Sequence, residues 1–323
     1  MRNRLVAIGL LIICSFPLSI AAETPLAHVG LLLFTDPRQS PSWYAFLDAL
    51  RDRGWIEGHN LQFYIRTSDG LPERYPELAA ELVGLQPEVI IAMGSAGTQA
   101  LREKTSTIPI VMLSADDPVR LGFIASLAHH GGNITGISNQ AADTFEKAFE
   151  FLMEVRPSIS RVALFWAPAY PASRLCKAVL ETAAPRVGVA VEPIGVNEPA
   201  ELDPAFATVT QSRPDALIVH PTPVSIRHVR QIAEFAIKQR LPTFSWSEGN
   251  ARQGLLMGYA ADSTKLTTRA AAVTDKILRG AKPADIPVEQ PTKFNLLINL
   301  KTARAIGIAI PPSILGRVDE VIE

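Results

Sequence analysis

The chain has 323 residues, with 31 basic and 32 acidic side chains, a formal net charge of −1, 47% apolar and 20% charged residues. That balance excludes the basic surface of a nucleic-acid-binding protein and the low-hydropathy, high-charge composition of a disordered chain. Length favours two domains.

The first residues read MRNRLVAIGLLIICSFPLSIAAET. Arg2 and Arg4 precede an apolar run from Leu5 to Leu18, and small residues follow. This predicts a cleaved secretory signal over residues 1–22. The run is short for a membrane span, so a retained anchor is the lesser alternative. Cys14 follows Ile13, where a lipoprotein cysteine would follow a small residue, so no lipid anchor is expected. The mature protein is expected in the periplasm. Cys176 would be its only cysteine, so no internal disulfide can form and the core must hold the fold.

Short β-branched runs then alternate with longer helical patterns. AHVGLLLF (27–34) predicts a strand, and SWYAFLDALRDRG (42–54) a helix stopped at Gly54. NLQFYIR (60–66) predicts a strand. PERYPELAAELVGL (72–85) predicts a helix with a start or kink at Pro76. EVIIAM (88–93) predicts a strand, SAGTQALREKT (95–105) a helix, and PIVMLS (109–114) a strand. A helix start is expected at Asp117-Pro118. The rhythm breaks at HHGGNITGISNQ (129–140), a short strand among glycines and the candidate hinge.

Alternation restarts with helix 144–155, strand 161–167, helix 171–188 interrupted at Pro185, and strand 189–196. Helix 199–211, strand 215–221, helix 225–240, and strands 241–246 and 254–260 follow. The tail predicts helix 263–280, a strand near 294–298, a helix from Asn299 or Leu300, and a short final helix. Two successive βα units of this kind predict α/β architecture with parallel sheets covered by helices on both faces.

No dinucleotide fingerprint, phosphate-binding P-loop, G-x-S-x-G elbow or H-E-x-x-H pair occurs. No cofactor and no metal are expected. His129 and His130 are adjacent and point apart on a helix, so they share no metal. Cys176 has no base nearby in sequence and reads as helix core. Neither a nucleophile–base pair nor a metal set is legible, so the chain is not expected to be an enzyme.

What remains gathers at strand exits. Ligands of open parallel sheets bind outside the carboxyl ends of the strands. MGSAGT (93–98) joins a strand to a helix, so Gly94, Ser95 and Ala96 could bring a ligand anion to free N–H groups, or Ser95 could be a plain cap. In SADDPV (114–119), Asp117 reads first as a helix cap. Asp116 reads as the ligand-facing alternative, and neighbouring carboxylates on an extended backbone point apart. Thr35, Ser114 and Thr222 stand at further exits. Trp166 and Trp246 both end apolar strands and, with Tyr170 and Tyr259 and with HPTPVS (220–225) between them, could wall a small organic ligand or pack in the core. Glu248 could meet an ammonium group or be a solvated loop residue.

Several strings taken together resemble one family. FLDALRDRGWIEGHNL, LPERYPELAAELVGLQPEVIIAMGSAGTQAL, TSTIPIVMLSADDPVRLGFIASLAHHGGNITGIS and TDKILRGAKPADIPVEQPTKFNLLINLKTARAIGIAIPPSIL closely resemble the ABC-transporter substrate-binding proteins that include tryptophan- and tyrosine-type binding proteins. The resemblance covers nearly all of the mature chain. It implies a type I periplasmic-binding-protein fold: two Rossmann-like lobes with parallel sheets, joined by a hinge. The first lobe would take residues 23–138 plus about 263–290, and the second 139–262 plus about 291–323. It also implies a monomer that encloses a small ligand, an amino acid or related small carboxylate, and delivers it to an ABC permease. A sensing module for a membrane receptor or kinase is the alternative, and an enzyme on the same scaffold a weaker one.

By the resemblance, the family's glycine-led segment falls on Gly94 to Ala96 and its Asp-Pro-Val on Asp117 to Val119. The family usually has Gly where Asp116 stands here. Its acidic, aromatic loop before the glycine-led strand reads SEGNARQGLLMGYA here, leaving the alignment of Glu248 open. Ser95 and nearby N–H groups would take a carboxylate, Asp116 or Asp117 an amine, and Trp166 and Trp246 the side chain.

Overall fold

The computed structural model describes residues 26–69, 71–128, 131–139 and 144–323. The signal-peptide expectation and the His129–His130 reading lie outside them. The strands are β1 (Ala27–Leu33), β2 (Leu61–Thr67), β3 (Val89–Met93), β4 (Ile110–Ala115), β5 (Ile134–Ser138) and β6 (Arg161–Trp166). They continue as β7 (Ala190–Gly195), β8 (Ala216–Val219), β9 (Thr243–Ser245), β10 (Met257–Ala261), β11 (Phe294–Asn299) and β12 (Glu320–Ile322). The α-helices are α1 (Pro41–Arg51), α2 (Tyr75–Gly84), α3 (Gly94–Arg102), α4 (Lys147–Val155), α5 (Pro171–Ala183) and α6 (Leu202–Ser212). The remainder are α7 (Pro223–Arg227), α8 (Val229–Lys238), α9 (Glu248–Arg252), α10 (Ser263–Leu278), α11 (Leu300–Ile306) and α12 (Pro312–Leu315).

One sheet has the order β2-β1-β3-β4-β5, and the other β12-β11-β10-β9-β8-β6-β7. Every pairing is parallel except β10 with β11. The mixed α/β fold with parallel sheets in two lobes therefore matches the sequence reading. The inner strands read as unbroken apolar runs because both faces are covered. In the first sheet, Trp43 and Leu50 of α1 pack with Leu266 and Ala270 of α10 on one face. Leu78 and Leu82 of α2 pack with Leu101 of α3 on the other. In the second sheet, one face is covered by Leu152 of α4, Cys176 and Leu180 of α5 and Ala303 of α11. The other is covered by Val209 of α6 and Ile232 of α8.

The chain passes from the first sheet to the second after β5, returns after β10 to lay α10 on the first sheet, and leaves again before β11. Its last hold on the first sheet is Glu289. Glu289 donates its N–H to the Gly136 carbonyl at 2.9 Å and accepts from the Ser138 N–H at 3.0 Å.

Several local expectations need correction. Gly136 is a strand residue of the first sheet: its φ is +128°, and an added Cβ would sit 2.2 Å from the Met112 carbonyl oxygen. It answers a close approach of β4 and β5. Asp117-Pro118 starts a single turn rather than a helix, with the Leu121 N–H bonded to the Asp117 carbonyl at 2.9 Å. Of the two readings of Pro76, a start or a kink, the start holds: it sits in the first turn of α2. Helix 225–240 is broken at His228 into α7 and α8. The short helix α9 and the final strand β12 carried no periodic signal.

Candidate functional site

The carboxyl ends of the two sheets face each other across a cavity of about 170 Å3. On the first lobe the lip is built by three strand exits. β3 turns into α3 at Gly94, whose φ is +68° and whose missing Cβ leaves room for the Phe34 ring, 2.7 Å from where that atom would stand. Only glycine takes that backbone without strain. β4 carries a register shift between Leu113 and Ala115, and the bulge residue Ser114 has φ +65°. A bulge of this kind re-aims the side chains that follow it, and a non-glycine residue held in the left-handed region stores strain where position matters.

The re-aimed residue is Asp116, only 9% exposed. The Ser95 hydroxyl donates to its Oδ2 at 2.6 Å, and the Asp116 N–H donates to Ser95 Oγ at 3.1 Å. The Asn139 amide donates to Oδ1 at 3.3 Å. β4, α3 and the end of β5 are thus tied at one carboxylate. Ser95 is no helix cap here, since the cap position is Met93.

The second lobe's lip is aromatic. Trp246 ends β9 and donates its indole N–H to the Thr144 carbonyl at 3.1 Å. Its ring packs edge-on against Phe145 and Phe244, with centroids at 4.9 and 5.1 Å. His220 follows β8 and is 3% exposed. Its Nδ1 shares a hydrogen bond with the Ser173 hydroxyl at 2.9 Å, while its Nε2 has no partner. Burial pushes the imidazole's pKa down, and the nearby Asp116 charge pulls it up. Next to it Thr222 caps α7, accepting from the Ser225 N–H at 3.1 Å while its own N–H reaches Ser225 Oγ at 2.8 Å. Tyr170, at the start of α5, also faces the cavity with a buried hydroxyl that has no partner. Desolvation drives that phenol's pKa up.

The lobes touch at the rim. The Arg227 guanidinium donates to the Asp69 carbonyl, and α3 lies against α5.

Gly94, Ser95, Ala96, Ser114, Asp116, Thr222 and Trp246 are brought together around the cavity. The other sequence candidates stand elsewhere. Asp117 points into its own turn, accepting from the Arg120 N–H at 3.0 Å with the Arg120 guanidinium at 3.4 Å. Trp166 lies behind the cavity, with the Lys177 ammonium 5.5 Å over its ring. Glu248 ties α9 to the C-terminal strands, accepting from the Asn295 amide at 3.0 Å and from Arg252 at 3.2 Å. Tyr259 is mid-strand, stacked on Phe294 at 5.5 Å. Thr35 lines an adjoining cavity of about 150 Å3 inside the first lobe, walled by Trp43 and Phe46 and sharing Phe34 and Met93 with the cleft.

Tyr170 was among the aromatics expected at this edge, and HPTPVS (220–225) was noted beside it, but sequence reasoning did not single out His220, Ser173 or Asn139. His220 had a visible signal, since it follows an apolar strand at the same position as the other exits.

Ser173 and His220 form a hydroxyl–imidazole pair, but Asp116 is bonded to Ser95 and Asn139 rather than to the imidazole. A nucleophile with an oriented base is therefore not assembled. No group of three or more His, Cys, Asp and Glu side chains is placed to share a metal among the described residues. Among them, no helix is long and apolar enough to cross a membrane. The arrangement suits enclosure of a small polar-headed molecule with an apolar body.

Comparison with known proteins agrees. A family model described as ABC transporter substrate binding protein matches residues 37–322. A tyrosine-binding protein of Clostridioides difficile (strain R20291) is 24% identical over 263 residues, 81% of this chain and 75% of that protein. A conserved domain protein from Vibrio cholerae superposes with a TM-score of 0.84 at 23% identity, covering 91% of this chain and 99% of that one. An ABC domain from Streptococcus pneumoniae in complex with L-Trp gives 0.81 at 22% identity, covering 92% and 100%.

Proposed function

We propose, on the premise that this chain belongs to the family of ABC transporter substrate binding proteins, that it is an exported monomer that captures a small solute of the amino-acid class between its lobes and presents it to an ABC permease. The observation that carries this is the single cavity bounded by Asp116 and Ser95 on one lip and by His220 and Trp246 on the other. The tyrosine-binding name of one relative and the L-Trp bound in another support an amino-acid-like, aromatic solute.

Binding begins on the first lobe, where Asp116 and Ser95 line the cavity and present polar groups to the solute's head. Closure brings the Trp246 face over the solute and excludes water, which strengthens each polar contact inside. The solute shifts the lobes toward the closed arrangement by its preference for that state.

The test is a thermal-shift and calorimetry panel of amino acids, amines and small carboxylates on the purified chain. A true ligand at about a hundred times its Kd should stabilise by roughly 2.7 kcal/mol. Ser95→Ala and Trp246→Ala should each weaken that ligand. If neither does, the cleft is not the binding site.

A further inference from the structure

We propose that the cleft selects its solute by a cationic nitrogen, a protonated amine on an apolar body, held between Asp116 of the first lobe and His220 of the second. This rests on the solute-binding reading above and replaces its amino-acid solute with the corresponding amine.

Among the described residues that line the cavity, Asp116 is the only acid, and none is Arg or Lys. Its hydrogen-bond partners, Ser95 and Asn139, are neutral. A buried carboxylate with only neutral partners lacks the counter-charge that offsets its desolvation. A carboxylate also accepts more hydrogen bonds than these two residues provide. The missing partner is a cation that arrives with the solute.

His220 is the independent second observation. It lines the same cavity from the opposite lobe, is 3% exposed, and its Nε2 has no partner. Burial disfavours the charged ring. In the tautomer whose Nδ1–H donates to the Ser173 hydroxyl, the imidazole offers an Nε2 lone pair. An ammonium group supplies both needs at once: charge for Asp116 and an N–H for His220. Each lobe holds one of the two acceptors, so the cation joins them.

A ligand carboxylate fares worse. It would be the second carboxylate in a cavity with no Arg or Lys among its described residues, and two carboxylates in one site cannot both stay ionised cheaply. The uncapped start of α3 is the place such a group would use, but Asp116 already sits there, bonded to Ser95 of that same turn. The apolar body has Phe34, Met93 and Trp246 beside it.

The test is calorimetry on the unmodified chain with matched sets. Each set carries one skeleton (phenyl, hydroxyphenyl or indole) as the amine, the amino acid and the deaminated acid. The expected result is that the amine binds at least about tenfold more tightly than its amino acid, and that the acid does not bind. Asp116→Asn should cost the amine about tenfold or more, and His220→Ala a smaller factor. The comparison on the unmodified chain stands even if a variant fails to fold. If an amino acid binds more tightly than its amine, the inference is overturned while the solute-binding reading stands. If an acid binds best, the same holds. If no amine binds below about 1 mM, the inference is overturned, and the broader panel then decides the solute-binding reading separately.

Discussion

The two lips of the cleft are made in opposite ways. The first-lobe lip is polar and tied by hydrogen bonds: Asp116, Ser95 and Asn139 hold β4, α3 and the end of β5 at one point. The second-lobe lip is held by packing: Trp246 wedges between Phe145 and Phe244, and His220 sits buried beside it with one nitrogen unpaired. One lip thus carries a buried carboxylate with neutral partners and the other an unpaired ring nitrogen. On the reading proposed above, one donor in the space between would serve both. Two lobes of similar α/β build can therefore divide recognition, one supplying charge and the other shape.

Removing the wedge should break the comparison most. Trp246→Ala leaves a large void against Phe145 and Phe244, and truncations of this kind cost about 3–5 kcal/mol. Urea unfolding should show a loss of that size, and a loss below about 1 kcal/mol would mean that the second lip does not depend on packing.

On the opposite lip, Gly94→Ala tests backbone geometry rather than packing. The left-handed conformation costs an alanine about 1–2 kcal/mol, and the new methyl must also displace the Phe34 ring. Calorimetric melting should register the loss, with ligand affinity reduced alongside.

Acid sharpens the contrast by acting on the second lip. The His220 pKa is lowered in the folded protein because burial penalises the charged ring. The unfolded chain then binds the proton more readily, so stability from this group is full above pH about 6.5 and declines as pH falls below it, by on the order of 1 kcal/mol per unit at most. Melting temperature measured from about pH 7 to about pH 5 should fall, and His220→Gln should flatten that slope.

The smallest effect is expected from Asp117→Ala. Its carboxylate holds one turn and faces a largely exposed Arg120, so the loss should be about 0.5–1 kcal/mol with ligand binding unchanged. A large loss of binding would return Asp117 to the site.

Most of the architecture was legible in the sequence because inner strands of a covered parallel sheet are unbroken apolar runs. β3 and β8 show this directly. β12 is short, with no fully buried residue, so its sequence offers no pattern to read. The strand-exit rule found Ser95, Asp116 and Trp246, since each follows a recognisable apolar run. It cannot say which residue past the exit turns inward. Trp166 and Trp246 end their strands alike in sequence, yet β6 lies between β8 and β7 while β9 lies between β8 and β10, and only Trp246 reaches the cavity. Which of Asp116 and Asp117 turns inward follows the bulge at Ser114, upstream of both, a backbone event with no signature in residue type. Glu248 and Tyr259 were drawn away by partners on β11, Asn295 and Phe294, that are remote in sequence.

Cys176 gives the second lobe a built-in clock. It is the one cysteine among the described residues, fully enclosed in the core under α5, and burial raises its thiol pKa well above the ordinary value. A thiol so placed does not react with an alkylating reagent while the lobe is shut. Its labelling rate therefore counts openings of the second lobe. Solute that seats against His220 and Trp246 should slow that count in proportion to occupancy, giving a measure of binding that needs no attached probe.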